Sequence, residues 1–318
     1  MAKPPKALVN ILIPALLLSA AAWVLWRELH ELPPARIAAA AASLTPARLV
    51  AAAVLSLAGY GLLGVNEQIA LRWLGSKVSW GRGIWTSFVA HALANSLGMA
   101  ALVGGAVRVG MLAREGVSVA QSAVVTVYAA VSFGLGLAAL AGLSFLVAPP
   151  EAFAVLHAPA GPLRLLGGLL VAGPFAYLAA CALVRGRLVL FGHELSLPPL
   201  WLGLTQFGFG LTDVILAAVL MWLVLPGEPP PLANFAGAYL TAMAAGLFSG
   251  VPGGLGVFEG ALVALLPQVD RANLTAAMLA YRIFFYLLPL AIAAPPLAAG
   301  LFRRGRNPAK LTPTEDPP

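Results

Sequence analysis

Charged residues are scarce in this sequence. Asp, Glu, Lys and Arg make up 10% of its 318 residues, whereas 60% are hydrophobic; soluble domains carry roughly 25% charged residues. Uncharged runs such as 83–107, 116–150 and 229–258 each exceed the ~20 apolar residues that a helix needs to cross a bilayer. The runs are continuous rather than alternating, which excludes a β-barrel. The composition therefore predicts a polytopic, all-α membrane protein.

Cysteine is nearly absent. Cys181 is the only one, which excludes a disulfide framework or a thiolate metal site within the chain. Gly-x-Ser-x-Gly, phosphate-loop and His-Glu-x-x-His patterns are also missing, so we expect no enzyme, no metal and no cofactor. The net charge of +7 comes from Lys and Arg between the apolar runs. That distribution fits topology control and anionic lipid headgroups rather than nucleic acid.

The apolar segments outline the membrane topology. We predict an uncleaved first span over 7–26 after Lys3 and Lys6, although Ser19–Ala22 also resemble a signal-peptidase site. The further segments are 49–65, 83–107, 117–148, 165–184, 199–225, 232–250, 255–267 and 274–302.

The distribution of Lys and Arg orients these segments, because cytoplasmic connectors carry an excess of both. Connectors 149–162 and 226–233 contain neither residue and are predicted to be external. Regions 66–82, 185–198 and 303–318 contain several and are predicted to be cytoplasmic. We therefore expect a multi-pass protein of the inner (plasma) membrane with both termini in the cytoplasm.

Two apolar segments lie between the cytoplasmic 66–82 and the external 149–162, where an odd number of crossings is required. We predict that 83–112 is a re-entrant hairpin, which is tolerated only where it is buried in protein or lines a wet cavity. Its interruptions are Asn95-Ser96, Gly98 and Gly104-Gly105.

The carboxyl-terminal half contains a similar break. Residues 249–256 read Ser-Gly-Val-Pro-Gly-Gly-Leu-Gly, so this half makes either three crossings or one hairpin and one crossing. The hairpin version gives about six full spans and two re-entrant hairpins, against about eight spans otherwise. It makes 7–148 and 165–302 inverted halves of one integral membrane domain, 1–302, an arrangement that points to a transport site. The basic, Pro-rich tail 303–318 is predicted to be disordered.

The segment Pro252-Gly-Gly-Leu-Gly-Val-Phe-Glu259 resembles the signature of the lysylphosphatidylglycerol synthase transmembrane-region family. That family includes the flippase portion of the bacterial multiple peptide resistance factor and stand-alone relatives. Weaker likeness covers Asn95 to Arg108 and Tyr281-Arg282 to Tyr286-Leu-Leu-Pro289. The resemblance implies a membrane protein that handles lipid, with broken helices near its centre. Bifunctional members add a soluble aminoacyl-transfer domain, which does not follow Phe302 here, so lipid aminoacylation is not expected.

Proline and glycine at the second break are expected to unwind the backbone and to let it approach a ligand closely. Half-helix ends present free N–H groups that suit an anionic headgroup. The alternative is a tight crossing of helices at small residues. The candidate binding residues at the breaks are Pro252, Gly253, Gly254, Gly256 and, in the first hairpin, Asn95.

Four ionisable candidates interrupt apolar sequence: Arg108, Asp213, Glu259 and Arg282. Each costs roughly 2.5–3.5 kcal/mol on insertion scales, so we expect functional or paired roles. We predict that Glu259 pairs with Arg282 and Asp213 with Arg108. Either pair is a structural ion pair or a site where arginine binds lipid phosphate; proton coupling through Asp213 or Glu259 rests only on their depth.

Two polar residues are interpreted structurally. Glu67 follows the apolar part of its span and is expected to reach the cytoplasmic interface. His91 lies among small and apolar residues and is expected to pack between helices.

These features favour a stand-alone lipid translocase or lipid-binding protein that acts on a phospholipid or an isoprenoid-linked lipid. The alternative is a non-catalytic accessory subunit that presents lipid to a separate transferase partner. A weaker third hypothesis is a membrane-embedded transferase that uses Glu259 or Asp213 as its base. The partners expected are membrane lipids and, in the second case, that transferase; the sequence carries no signal for the oligomeric state.

Overall fold

Helices dominate the structure, a computed structural model that describes residues 42–97, 100–147, 159–184, 187–190, 193–248 and 256–305, with positions 35 and 39. The helices are α1 (Pro46–Trp73), α2 (Trp80–Leu97), α3 (Ala100–Leu112), α4 (Val119–Val147), α5 (Ala160–Leu183), α6 (Leu200–Leu223), α7 (Leu232–Phe248), α8 (Val257–Leu265), α9 (Arg271–Arg282) and α10 (Leu288–Gly305). A π-helical segment, Ile283–Leu287, joins α9 to α10. The predicted polytopic, all-α membrane fold is confirmed.

A small β-hairpin lies between α5 and α6, in the connector 185–198. Strands β1 (Arg187–Leu190) and β2 (His193–Ser196) are antiparallel, with Arg187 opposite Ser196 and Leu190 opposite His193. The sequence analysis treated this region only as a connector. The hairpin is short and does not alter the membrane fold.

Five stretches are long and apolar enough to cross a membrane: α1, α4, α5, α6 and the continuous helix over Arg271–Pro296. The first predicted span, 7–26, and the tail 306–318 lie outside the described residues. These five helices and span 7–26 correspond to the six full spans of the hairpin version of the topology.

Helices α3 and α8 are too short to cross the membrane alone. Helix α3 has 13 residues and α8 has 9, which at 1.5 Å per residue are about 20 Å and about 14 Å long, against ~30 Å of hydrocarbon. Helix α3 packs closely on α2: a Cβ placed at Gly104 of α3 would lie 3.5 Å from the Cβ of Ala94 in α2. Helix α8 packs on α7 through Phe258 and Tyr239, whose ring centroids are 5.7 Å apart.

The interruptions of the first hairpin are partly misplaced in the sequence analysis. Helix α2 continues through Asn95-Ser96, and Gly104-Gly105 lies inside α3. Helix α2 ends at Leu97 and α3 begins at Ala100, and residues 98–99 lie outside the described residues.

The order of the elements repeats along the chain. A long helix, two short helices and a long helix occur as α1 to α4 and again from α6 to α10. This order agrees with the predicted halves 7–148 and 165–302, whose inverted orientation stays a prediction.

Small residues let the long helices approach closely where α4 crosses α6. A Cβ at Gly210 would overlap the carbonyl oxygen of Ser132, and a Cβ at Gly136 would overlap the backbone of Gly210. Such contacts are typical of membrane helices, where close backbone packing replaces the hydrophobic effect as the cohesive force. The crossing fixes α6 at the centre of the molecule, in contact with α1, α4, α5, α7 and α9.

Candidate functional site

Glu67 and Arg108 form a sealed ion pair inside the first half of the molecule. The Arg108 Nε–H donates to Glu67 Oε2 at 2.8 Å, and its Nη2 donates to the other carboxylate oxygen. Their side chains are only 3% and 4% exposed. The predicted pairing of Arg108 with Asp213 is therefore wrong. The interfacial interpretation of Glu67 is also wrong, because α1 continues to Trp73 and keeps this carboxylate inside the protein.

The surroundings of this pair join α1, α2 and α3. His91 Nδ1 lies 3.5 Å from the Glu67 carboxylate and 3.0 Å from the carbonyl oxygen of Ser87. A Cβ at Gly104 would lie 2.7 Å from Arg108 Nη1, so glycine leaves the space that the guanidinium occupies. The bidentate geometry and the burial indicate that this pair anchors the first hairpin to α1.

Glu259 and Arg282 form a second ion pair, as the sequence predicts. Arg282 Nη2 donates to Glu259 Oε1, and the side chains are 18% and 24% exposed, respectively. The other carboxylate oxygen accepts the Gly256 N–H at 2.7 Å, where Gly256 has a φ of 79°. Glu259 thus caps the first turn of α8, so the chain itself uses one N–H group expected for a lipid headgroup. The candidates Pro252, Gly253 and Gly254 lie outside the described residues.

The backbone changes its hydrogen-bond pattern directly after Arg282. In the π-helical segment Ile283–Leu287, the Leu288 N–H reaches back five residues instead of four, which leaves the Phe284 carbonyl without its usual partner. Pro289 has no N–H, so the Phe285 carbonyl also lacks one. The proline thus accounts for one of the two open carbonyls, and the wider turn accounts for the other.

Side chains from the first half of the molecule satisfy both carbonyls. The Ser56 hydroxyl donates to Phe284 O at 2.7 Å, and the Tyr60 hydroxyl donates to Phe285 O at 2.9 Å. The candidate Asn95 donates in turn to Tyr60 Oη at 3.1 Å. Asn95 therefore lies in a network that links α1, α2 and the segment after Arg282. π-helical turns of this kind occur frequently at functional sites.

Asp213 lies at the middle of α6 and faces the interior. Gly210 and Ala217, one turn before and after it, are buried, whereas Leu204 and Ile215 on the opposite side are 50% and 45% exposed. Because residues three and four apart share a helix face, the Asp213 side chain points away from the lipid. It is nevertheless partly exposed.

Asp213 interacts electrostatically with tyrosines of three other helices, namely Tyr60 of α1, Tyr239 of α7 and Tyr281 of α9. The hydroxyls of Tyr239 and Tyr281 lie 2.7 Å apart. Within the described part of the chain, Asp213 has no hydrogen bond and no ion pair. It therefore differs from the other three ionisable candidates.

A second polar network joins four helices and was not predicted from the sequence. Tyr128 donates to Asn66 Oδ1 at 3.0 Å, and the Asn66 amide donates to Ser132 Oγ at 3.0 Å. Gln206 donates to the carbonyl of Tyr128 at 3.3 Å and accepts the hydroxyl of Tyr177. Polar residues within apolar segments are the signal for such a network, and here they connect α1, α4, α5 and α6.

Comparison with known proteins decides the family. The family model described as lysylphosphatidylglycerol synthase TM region matches residues 11–293. The chain belongs to this family. It is 32% identical over 278 residues to the uncharacterized protein slr0712 of Synechocystis, covering 86% of this chain and 85% of that protein. It is 27% identical over 249 residues to the inner membrane protein YbhN of Escherichia coli, covering 77% of each.

The lysylphosphatidylglycerol synthase TM-region match supports a multi-pass membrane protein with a lipid-related role. It covers both halves of the structure and includes all four ionisable candidates. Glu259 and Arg282, which the structure joins, fall in the two carboxyl-terminal segments that carried the sequence resemblance.

Proposed function

We propose that this protein moves a lipid between the two leaflets of the membrane and binds the headgroup phosphate at Arg282. The observation that carries the proposal is the partial exposure of the Glu259–Arg282 pair, at 24% and 18%, beside the break before α8. The Glu67–Arg108 pair is sealed by comparison. Only the exposed pair is accessible to a ligand without rearrangement of the helices.

A phosphate is chemically suited to replace Glu259 at Arg282. The guanidinium group binds phosphate through two parallel N–H donors, as it binds carboxylate. When the phosphate arrives, Glu259 keeps its bond to the Gly256 N–H and the favourable interaction with the positive end of α8. The pair therefore opens without leaving its carboxylate uncompensated, which lowers the free-energy cost of exchange.

The arrangement of helices supports a path for a headgroup rather than for a whole lipid. If α3 and α8 belong to re-entrant hairpins, as the sequence predicts, polar backbone reaches membrane depth there, which is tolerated only in protein or beside water. The acyl chains remain in the hydrocarbon while the headgroup passes the exposed ion pair. We propose a transport role without catalysis, so purified protein alone should act on lipid without a transferase.

The test uses purified full-length protein in vesicles of phosphatidylethanolamine and phosphatidylglycerol. Tail-labelled fluorescent phosphatidylglycerol is the probe, and dithionite added outside reports its movement between leaflets. We expect Arg282→Gln to lower the exchange rate about tenfold or more, because a hydrogen bond to a charged group contributes ~1.5–3 kcal/mol and ~1.4 kcal/mol is tenfold. Arg282→Lys keeps the positive charge but loses the two parallel N–H donors of the guanidinium group, so its exchange rate should lie between those of the unaltered protein and Arg282→Gln.

Arg271→Gln is the matched control, because Arg271 begins the same helix on its exposed side and should exchange lipid like the unaltered protein. The double variant Glu259→Gln with Arg282→Gln should fold and remain inactive. Exchange restored in the double variant would reduce the pair to a structural role. Unaltered protein that exchanges no faster than empty vesicles would contradict translocation and favour the accessory-subunit alternative.

A further inference from the structure

We propose that Asp213 is a proton-binding site that couples lipid movement to a pH gradient. The inference rests on the proposed translocation and adds an energy source to it. It depends on the position of one carboxylate at the centre of α6, on the lack of an ion-pair partner for it among the described residues and on the neutral tyrosines of the neighbouring helices.

The depth of Asp213 places it far from both membrane surfaces. It lies 13 residues after Leu200, the first residue of α6, which ends at Leu223. At 1.5 Å per residue the carboxylate is about 20 Å along the helix. Carboxylates at such depth are rare and mark ion paths or proton relays, unless they are paired.

The charge of Asp213 is uncompensated in the described residues, unlike that of the other candidates. Glu67 is paired with Arg108, and Glu259 with Arg282. The described groups that interact electrostatically with Asp213 are Tyr60 from α1, Tyr239 from α7 and Tyr281 from α9. Arg282, the next residue of α9, is paired with Glu259. Neutral hydroxyls do not balance a full negative charge, so the carboxylate is costly in its ionised form and is relieved by taking up a proton.

Of the remaining described helices that contact α6, α4 carries no charged residue, and α5 carries only Arg164, which is exposed near the start of that helix. From α4 and α5, the titratable groups that face α6 are Tyr128, Tyr177 and Cys181. These contact α6 at Thr205, Gln206 and Gly203, two or more turns before Asp213. Tyr286, in the π-helical segment, is neutral and interacts electrostatically with Tyr60 and Tyr239.

The coupling step is a simple protonation. The Asp213 carboxylate accepts a proton from water on one side of the membrane, and it becomes a neutral carboxylic acid. It releases the proton to water on the other side after the lipid has moved. No other bond forms or breaks, and one proton crosses the membrane for each lipid transferred.

The experiment measures lipid movement against a pH gradient. Purified full-length protein is placed in vesicles of phosphatidylethanolamine and phosphatidylglycerol with fluorescent phosphatidylglycerol, and the membrane potential is clamped with potassium and valinomycin. With a gradient of about one pH unit, we expect up to tenfold enrichment of the probe in one leaflet, the limit that one proton per lipid sets. A protonophore should abolish the enrichment. Asp213→Asn should exchange the probe without responding to the gradient, and Asp213→Glu should retain the response.

Glu228→Gln is the matched control, since it removes an exposed carboxylate from the connector after α6 and should respond like the unaltered protein. Infrared difference spectra give a second readout, in which a carboxylic-acid band appears on acidification and is lost in Asp213→Asn. Exchange that ignores the gradient in the unaltered protein, or a full response in Asp213→Asn, would overturn the coupling and leave translocation standing. No exchange at all in the unaltered protein would overturn the proposed function and the coupling with it.

Discussion

Glu67 and Arg108 show how a buried ion pair differs from an accessible one. Both groups are almost fully enclosed and fully bonded to each other, so neither is available to a lipid unless the pair opens. A charge that loses its partner in such a place keeps the full cost of burial. The pair is therefore a structural link between α1 and the first hairpin.

We predict that Glu67→Gln destabilises the protein by about 3–5 kcal/mol, because Arg108 is left buried without a counter-charge. The measurement is thermal unfolding in detergent together with the yield of folded protein. Replacing both residues by apolar side chains, as in Glu67→Leu with Arg108→Met, should recover most of that stability.

Glu115→Gln supplies the control for this prediction. It breaks the pair with Arg82, in which the side chains are 22% and 68% exposed, and exposed pairs contribute only about 0–1 kcal/mol. Equal stability of Glu67→Gln and Glu115→Gln would show that the buried pair does not hold the hairpin.

The residues around Glu67 show why hydropathy did not predict the end of α1. The apolar pattern of the second span ends near Val65, and Asn66-Glu67-Gln68 resembles an interfacial segment. The helix continues because each polar side chain finds a partner inside the protein: Ser132 and Tyr128 for Asn66, Arg108 for Glu67 and the Val78 carbonyl for Gln68. The partners of Asn66 and Glu67 come from segments more than forty residues away, so local sequence does not reveal them. Glu259 and Arg282 were paired correctly because opposite charges at membrane depth have few alternatives.

At the scale of elements, the π-helical segment depends on contacts between the two halves. Pro289 was visible in the sequence, but the donors that make the wider turn acceptable are Ser56 and Tyr60. They lie more than two hundred residues earlier, so the segment was not predicted. Glycine alone does not predict a break either, because Gly104-Gly105 lies inside α3, where Gly104 leaves room for the Arg108 side chain.

We predict that Tyr60→Phe destabilises the protein by about 1–3 kcal/mol, since it leaves the buried Phe285 carbonyl without a donor. In a Pro289→Ala background, residue 289 has an N–H of its own, and the same change should cost less. The difference between the two backgrounds, measured by thermal unfolding, isolates the contribution of this hydrogen bond.

Thr212→Val is the control for this cycle. Its hydroxyl donates to Gly208 O within α6 and the side chain is exposed, so its effect should be small and equal in both backgrounds. If Tyr60→Phe costs the same with and without Pro289, the hydroxyl does not compensate for the proline.

At the scale of the whole molecule, hydropathy predicts the long helices, whereas the distribution of Lys and Arg predicts which segments turn back. Hydropathy placed the five described spans within a few residues of their observed bounds, apart from the end of α1. Counting crossings between basic connectors predicted that 83–112 turns back, and α3 is too short to cross and packs on α2. The orientation of the chain does not follow from the structure, because no membrane is part of it, and it stays a prediction from Lys and Arg.

That orientation predicts opposite faces for two exposed positions. Ala113 lies in the turn between α3 and α4, and Glu228 lies in the connector between α6 and α7. In a Cys181→Ala background, Ala113→Cys should react with a membrane-impermeant maleimide only from the cytoplasmic side, and Glu228→Cys only from outside. Ala113 serves better than the exposed Ser118, whose hydroxyl accepts the Gln121 N–H at 3.1 Å and caps α4. Labelling of both cysteines from the same side would contradict this prediction. Because Ala113 follows α2 and α3, that result would mean that these two helices together cross the membrane once. The two halves would then no longer be inverted.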